Sequence, residues 1–177
     1  MPKVNRIAER KNVLRDLIKA GKPTIGTHVH SIWPGVVEVI GHSGAMDYVE
    51  FTGQYAPYDL FSLENFGRAV DLFDHMSSMI KLDQEPRIFQ AERAVGSGIQ
   101  NLLYADIRSV DDAKEAVAGM RAETPNSGGL AGVSMTRDMG YVFPNVDLPD
   151  FIFVHDSPFD ELRITPLKPN ARKVSSP

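Results

Sequence analysis

The sequence predicts an α/β protein built on parallel strands, and three observations carry that reading. Short β-prone runs alternate with helical patterns at a spacing that suits βαβ units. Glycine and proline punctuate the junctions between them. Polar and ionisable residues gather just after the strand runs, where parallel α/β proteins mount their chemistry. About five such strands fall before Met135. Periodicity alone leaves open whether they form an open doubly wound sheet or most of a barrel.

Taken in order, the residues from Asn12 to Ala20 predict a short amphipathic helix with Val13, Leu14, Leu17 and Ile18 on one side. Gly21 and Pro23 stop it. Thr24 to His30 reads as the first strand, and Gly35 to Gly41 as a helix opened by Pro34. In Asp47 to Phe51, the spacing of Tyr48, Val49 and Phe51 gives a second strand. Gly53, Pro57 and Asp59 punctuate the loop after it. Phe66, Ala69, Val70 and Phe73 then place one apolar face on a helix from Leu63 to Met76, its pattern beginning at Leu60. Met79 to Asp83 is a third strand, Ile88 to Ala94 a short helix stopped by Gly96 and Gly98, and Gln100 to Asp106 a fourth strand. Ser109 offers an N-cap with Asp111 and Asp112 in the first turn, for a helix reaching Met120. Gly128, Gly129 and Gly132 precede a last β-prone run, Val133 to Met135. From Phe143 the chain turns proline-rich, with only Phe151 to Val154 strand-like. Two regions follow: an α/β portion over residues 1–142 and an extension over 143–177.

The 177 residues suffice for one domain with a proper core. A net charge of −4 supplies no basic excess to meet phosphates, so no nucleic-acid partner is expected. Without cysteine there is no disulfide framework and no thiolate chemistry. The charged N-terminus lacks the apolar core of a secretory signal, and no run nears the ~20 apolar residues of a bilayer span. A cytoplasmic location with no membrane partner is the expectation.

Thr52, Gln54, Tyr55 and Tyr58 are the first candidates for a pocket; the structural alternative is that they cap a strand and pack a turn. His28 and His30 end the first strand, Lys81, Asp83, Glu85 and Arg87 follow the third, and Asp106 ends the fourth. If Lys81, Asp83 and Glu85 share a strand face, they either neutralise one another or line a polar cavity. Lys81 or Arg87 could then receive an anionic group, ammonium as a point charge and guanidinium as a fork. His28, His30 and His42 make no metal signature, and no phosphate loop or nucleophile elbow is present.

Four stretches, PTIGT from Pro23, MDYVEFTGQYAPYDL from Met46, RAVGSGIQNLL from Arg93 and TPNSGGLAGVSM from Thr124, resemble the HpcH/HpaI aldolase family. The likeness covers roughly residues 12–142. It implies a (β/α)8 barrel of the phosphoenolpyruvate/pyruvate superfamily and a metal-dependent lyase acting next to a pyruvate enolate. Where the family reads Asp-Gly-Glu-His-Ala-Pro, this chain reads Thr52-Gly53-Gln54-Tyr55-Ala56-Pro57. Tyr55 thus stands at the general-base histidine and Gln54 at the neighbouring acid. His28 aligns with the family's tryptophan, and Lys81 with its carboxylate-binding arginine, Arg87 being a nearby substitute. A tyrosine is a poor base near neutral pH but a good hydrogen-bond donor to an enolate oxygen. The family's metal-binding Glu and Asp lie beyond the glycine-rich segment, where this chain does not match.

Such a barrel takes about 250 residues, so the expected fold is an incomplete (β/α)8 type with about five to six parallel strands. The resemblance implies a carbon–carbon lyase acting on a pyruvate-type 2-oxo acid. Tyr55, Gln54 and His28 would be catalytic, and Lys81, Arg87 and Gly53 would bind substrate. Mg²⁺ or Mn²⁺ is the implied cofactor, its ligands not identified. The alternative is an inactive barrel remnant acting through self-association or ligand binding. Unpaired sheet edges make a homo-oligomer the expected state, most of all for the remnant.

Overall fold

The computed structural model describes residues 11–121, 123, 127–132, 136–137 and 152–155. Along the chain run α1 (Val13–Lys19), β1 (Gly26–Val29), α2 (Pro34–Ser43), β2 (Tyr48–Phe51) and α3 (Leu60–Val70). There follow β3 (Ser77–Leu82), α4 (Arg87–Gly96), β4 (Asn101–Tyr104), α5 (Val110–Gly119) and β5 (Ile152–His155). The strands form one sheet in the order β1-β2-β3-β4-β5, every pairing parallel. Strands laid down in chain order step each crossover the same way and keep the helices on one side. A doubly wound sheet would reverse direction at a switch point. The order therefore settles what periodicity left open: this is the wall of a (β/α)8-type barrel, five strands wide among the described residues. Among the described residues neither β1 nor β5 has a strand on its outer side.

The two faces of the wall differ. Val49, Phe51, Ile80, Leu82, Leu102 and Tyr104 face the helices and pack with Val37, Leu63, Phe66, Val70, Ala91 and Ala116 into one core. Neighbouring helices close this layer, α2 against α3, α3 against α4 and α4 against α5. The alternate residues, among them His28, Glu50, Met79 and Lys81, take the other face by the period of two. At its N-terminal end that face is covered by α1, whose Leu14 joins Met79 beside Tyr48 and Leu103. Towards the strands' C-terminal ends it carries polar side chains.

Several boundaries differ from expectation for physical reasons. α3 ends at Val70 rather than Met76, because Phe73 leaves the helix to lie on Gly41 of α2 and edge-on to His42. β3 begins earlier, at Ser77, because the buried Ser77 and Ser78 hydroxyls find partners. It ends at Leu82, where the Asp83 amide donates to Gln90 Oε1 at 2.9 Å. The strand expected at 133–135 lies outside the described residues. The one expected at 151–154 is β5, which pairs with β4.

Two helix starts, those of α3 and α5, use an aspartate in their capping. Asp59 Oδ1 accepts from the Ser62 amide at 2.7 Å, and Ser109 with Asp112 forms a reciprocal capping box. Backbone N–H bonds hold both carboxyls below the usual aspartate range, chiefly from Ser62 for Asp59 and from Arg108 for Asp112. A depressed folded pKa means that the stabilisation is present above the unfolded value of about 3.9 and is lost as pH falls through the lower folded value. Asp59→Asn keeps the cap without the charge. Urea unfolding at about pH 6 and pH 3 should show a smaller acid loss of stability in Asp59→Asn than in the wild type.

Candidate functional site

The C-terminal ends of β1 to β4 bring together most of the polar side chains expected there. After β2, the Thr52 hydroxyl donates back to Glu50 Oε1 at 3.0 Å, and Gly53 passes against β3. A Cβ on Gly53 would stand 3.0 Å from the Lys81 carbonyl oxygen, so a larger residue there would push the loop a few tenths of an ångström off β3. The Gln54 amide then donates to that carbonyl at 3.1 Å, tying the loop to β3. Its side-chain Nε2 donates to Asp106 Oδ2 at 2.9 Å, beyond the end of β4.

Tyr55 is the next residue, 65 % exposed, and its ring faces Lys81 Nζ at 5.2 Å from the centroid. That is within the range of a cation–π contact. On the other side the Tyr55 ring lies 6.5 Å from the His30 ring, and His30 lies 5.8 Å from His28. Lys81, Tyr55, His30 and His28 thus form a continuous run across β3, β2 and β1. His28 sits opposite Glu50 in the register, on the same face of the sheet. Glu50 escaped the sequence reading; its inward position in the period-two pattern with His28 and Lys81 was the available signal.

Other candidates are placed differently. Arg87, expected as a second carboxylate receptor, does not join this cluster. Its guanidinium pairs with Glu85 at 3.0 Å and with Glu115 of α5 at 2.5 Å, with its side chain only 1 % exposed. It belongs to the helix side of the sheet, near Tyr104. The shared face expected for Lys81, Asp83 and Glu85 does not form, since the strand ends at Leu82 and Glu85 turns to Arg87. Tyr58 packs edge-on to Phe51, and burial first, then the Asp83 charge, raises its hydroxyl pKa. It serves the core and stays protonated.

Among the described residues no three His, Asp or Glu side chains come together to hold a metal ion. The donors among the described residues therefore do not by themselves make a Mg²⁺ or Mn²⁺ site. No helix among the described residues is long and apolar enough to cross a membrane.

No protein-family model matches the chain, and no curated protein matches it. Solved structures do. An HpcH/HpaI aldolase/citrate lyase family protein from Burkholderia cenocepacia is 23% identical, with 74% of this chain and 52% of that chain covered and a TM-score of 0.66. The HpcH/HpaI aldolase from Desulfitobacterium hafniense is 18% identical over 81% of this chain and 56% of its own, also at 0.66. The citrate synthase SbnG is 15% identical over 82% and 55%, at 0.64. The chain spans about half the length of these structures. Strand order, one-sided helices and these three likenesses agree: the chain has the fold of the HpcH/HpaI aldolases over about half of their barrel.

Proposed function

We propose that the mouth formed by β1 to β4 binds a small 2-oxo acid and serves an aldolase-like carbon–carbon lyase reaction. The observation that carries this reading is the Lys81 ammonium set 5.2 Å from the Tyr55 ring, at the C-terminal end of adjacent parallel strands. Breaking the carbon–carbon bond leaves an enolate on the 2-oxo acid, so the site must favour negative charge on both carboxylate and enolate oxygen. Lys81 supplies the cation for the carboxylate. The Tyr55 hydroxyl donates to the carbonyl or enolate oxygen, and Gln54 can add only the second Nε2 hydrogen, the one not given to Asp106. His28, exposed at the end of β1, carries the proton between the reacting carbon and solvent.

A lyase assay on 2-oxo acids, with and without Mg²⁺, compares the wild type with Lys81→Ala and Tyr55→Phe. A hydrogen bond to a charged group contributes about 1.5–3 kcal/mol, so Lys81→Ala should weaken pyruvate binding by roughly 10- to 100-fold. Tyr55→Phe should lower turnover more than affinity. Equal rates in all three proteins would remove the assignment.

A second reading, favoured by the unpaired outer sides of β1 and β5 among the described residues, is a barrel remnant that persists through self-association. Exposed Phe61 at 83 % and Trp33 at 68 % add apolar surface. Size exclusion with light scattering tests it: a monomer that binds pyruvate would overturn the remnant reading.

A further inference from the structure

The lyase reading leaves one contact without a role, the bond between Gln54 and Asp106. We propose that Asp106 is the positioning residue of this mouth. It anchors Gln54 across the end of β3, fixes which end of the Gln54 amide is buried, and so holds Tyr55 against Lys81. Its consequence for ligand binding rests on the reading of the site as a 2-oxo-acid site; its consequence for Tyr55 does not.

Three observations support it. Gln54 follows β2 and Asp106 follows β4, so their 2.9 Å bond spans the intervening β3, whose Lys81 carbonyl also takes the Gln54 backbone amide. Gln54 is therefore held at two points, to β3 by its backbone and to β4 by its side chain, and Tyr55 is the next residue. A carboxylate only accepts hydrogen bonds, so the amide end facing Asp106 is Nε2. That leaves Gln54 Oε1 on the inside, shut off from solvent and without a partner among the described residues. A buried acceptor left unsatisfied is costly, so the bond to Asp106 is what holds the amide in this orientation. Finally, Asp106 has φ +56, a left-handed backbone uncommon outside glycine, asparagine and aspartate. The loop adopts that conformation at the residue that reaches Gln54.

The backbone at Asp106 dictates the variants. Asp106→Gly keeps the left-handed conformation and removes the carboxylate. Asp106→Asn keeps both that conformation and an acceptor oxygen. The signature is the Lys81 side-chain resonance in carbon–proton spectra of lysine-labelled protein, assigned by its loss in Lys81→Ala. Lying against the Tyr55 ring should move it upfield. Asp106→Gly should return it towards the ordinary lysine position and weaken pyruvate binding by about five- to tenfold, the worth of one net hydrogen bond. Asp106→Asn should restore both.

A Lys81 resonance unmoved in Asp106→Gly, or moved as far in Asp106→Asn, would overturn the proposal. So would unchanged pyruvate affinity in Asp106→Gly when the wild type binds. If the resonance behaves as expected and the wild type binds no 2-oxo acid, the positioning role stands and the lyase reading falls.

Discussion

Arg87→Ala should cost about 2–4 kcal/mol of stability and leave pyruvate affinity where it was. Arg87 is the largest fully buried side chain among the described residues. Its Nη1 meets Glu115 Oε2 at 2.5 Å and its Nη2 meets Glu85 Oε1 at 3.0 Å, joining α4 to α5 and to the loop before α4. Truncation removes both pairings and opens a cavity beside Tyr104. Burial raises the Tyr104 hydroxyl pKa well above the ordinary tyrosine range, Arg87 and Glu115 pulling in opposite directions. The two glutamates remain 58 % and 43 % exposed, so water takes over much of their solvation. That puts the cost below that of a wholly buried pair losing one member. Arg87→Met, which refills most of the volume, should recover part of the loss. Urea unfolding gives the stability and calorimetric titration with pyruvate the affinity. A fall in affinity with little change in stability would return Arg87 to the binding site, where its sequence position had placed it.

The contrast between Lys81 and Arg87 marks how far the sequence was legible. Alternation of strand and helix gave the parallel sheet, and Ser109 with Asp112 marked a helix start through side chains that act on their own turn. Such local signals survive folding because their partners are a few residues away. Lys81 was equally legible, since a strand residue's face follows from the period of two. Arg87 was not, because its partner Glu115 lies on another helix and no local pattern announces that pairing. The end of α3 failed for the same reason: Phe73 fits the apolar stripe, yet its place is set by Gly41 of α2. Gln54 was singled out for its position, but its side chain is bonded to Asp106, two strands away, which no local pattern announces. Each miss is a tertiary partner overriding a local pattern.

Asn101→Ala should cost about 2–3 kcal/mol and, like Arg87→Ala, spare the mouth. At the N-terminal end of the sheet a buried polar cluster joins α1 to β3 and β4. Asn12 Nδ2 donates to Asn101 Oδ1 at 2.9 Å, and Asn101 Nδ2 donates to the Ser78 carbonyl at 2.9 Å. The Ser77 hydroxyl meets Asn12 Oδ1 at 3.4 Å and accepts from the Leu14 amide at 3.3 Å. Asn101, Ser77 and Ser78 are fully buried, so a deleted partner is not replaced by water. Alanine at 101 leaves Asn12 Nδ2 with only a 3.4 Å contact to the Gln100 carbonyl. Asn12→Ala alone should cost at least as much, because the buried Asn12 also caps α1 through the Arg15 amide at 3.0 Å. In a double-mutant cycle the pair should couple by about 1 kcal/mol, since each single variant already forfeits the shared bond. Lys81 sits towards the opposite ends of the strands, so pyruvate affinity should hold while the unfolding midpoint falls. In a barrel wall the N-terminal rim carries stability and the C-terminal rim carries chemistry. A loss of pyruvate affinity in Asn101→Ala matching its loss of stability would show that the two rims are not separable here.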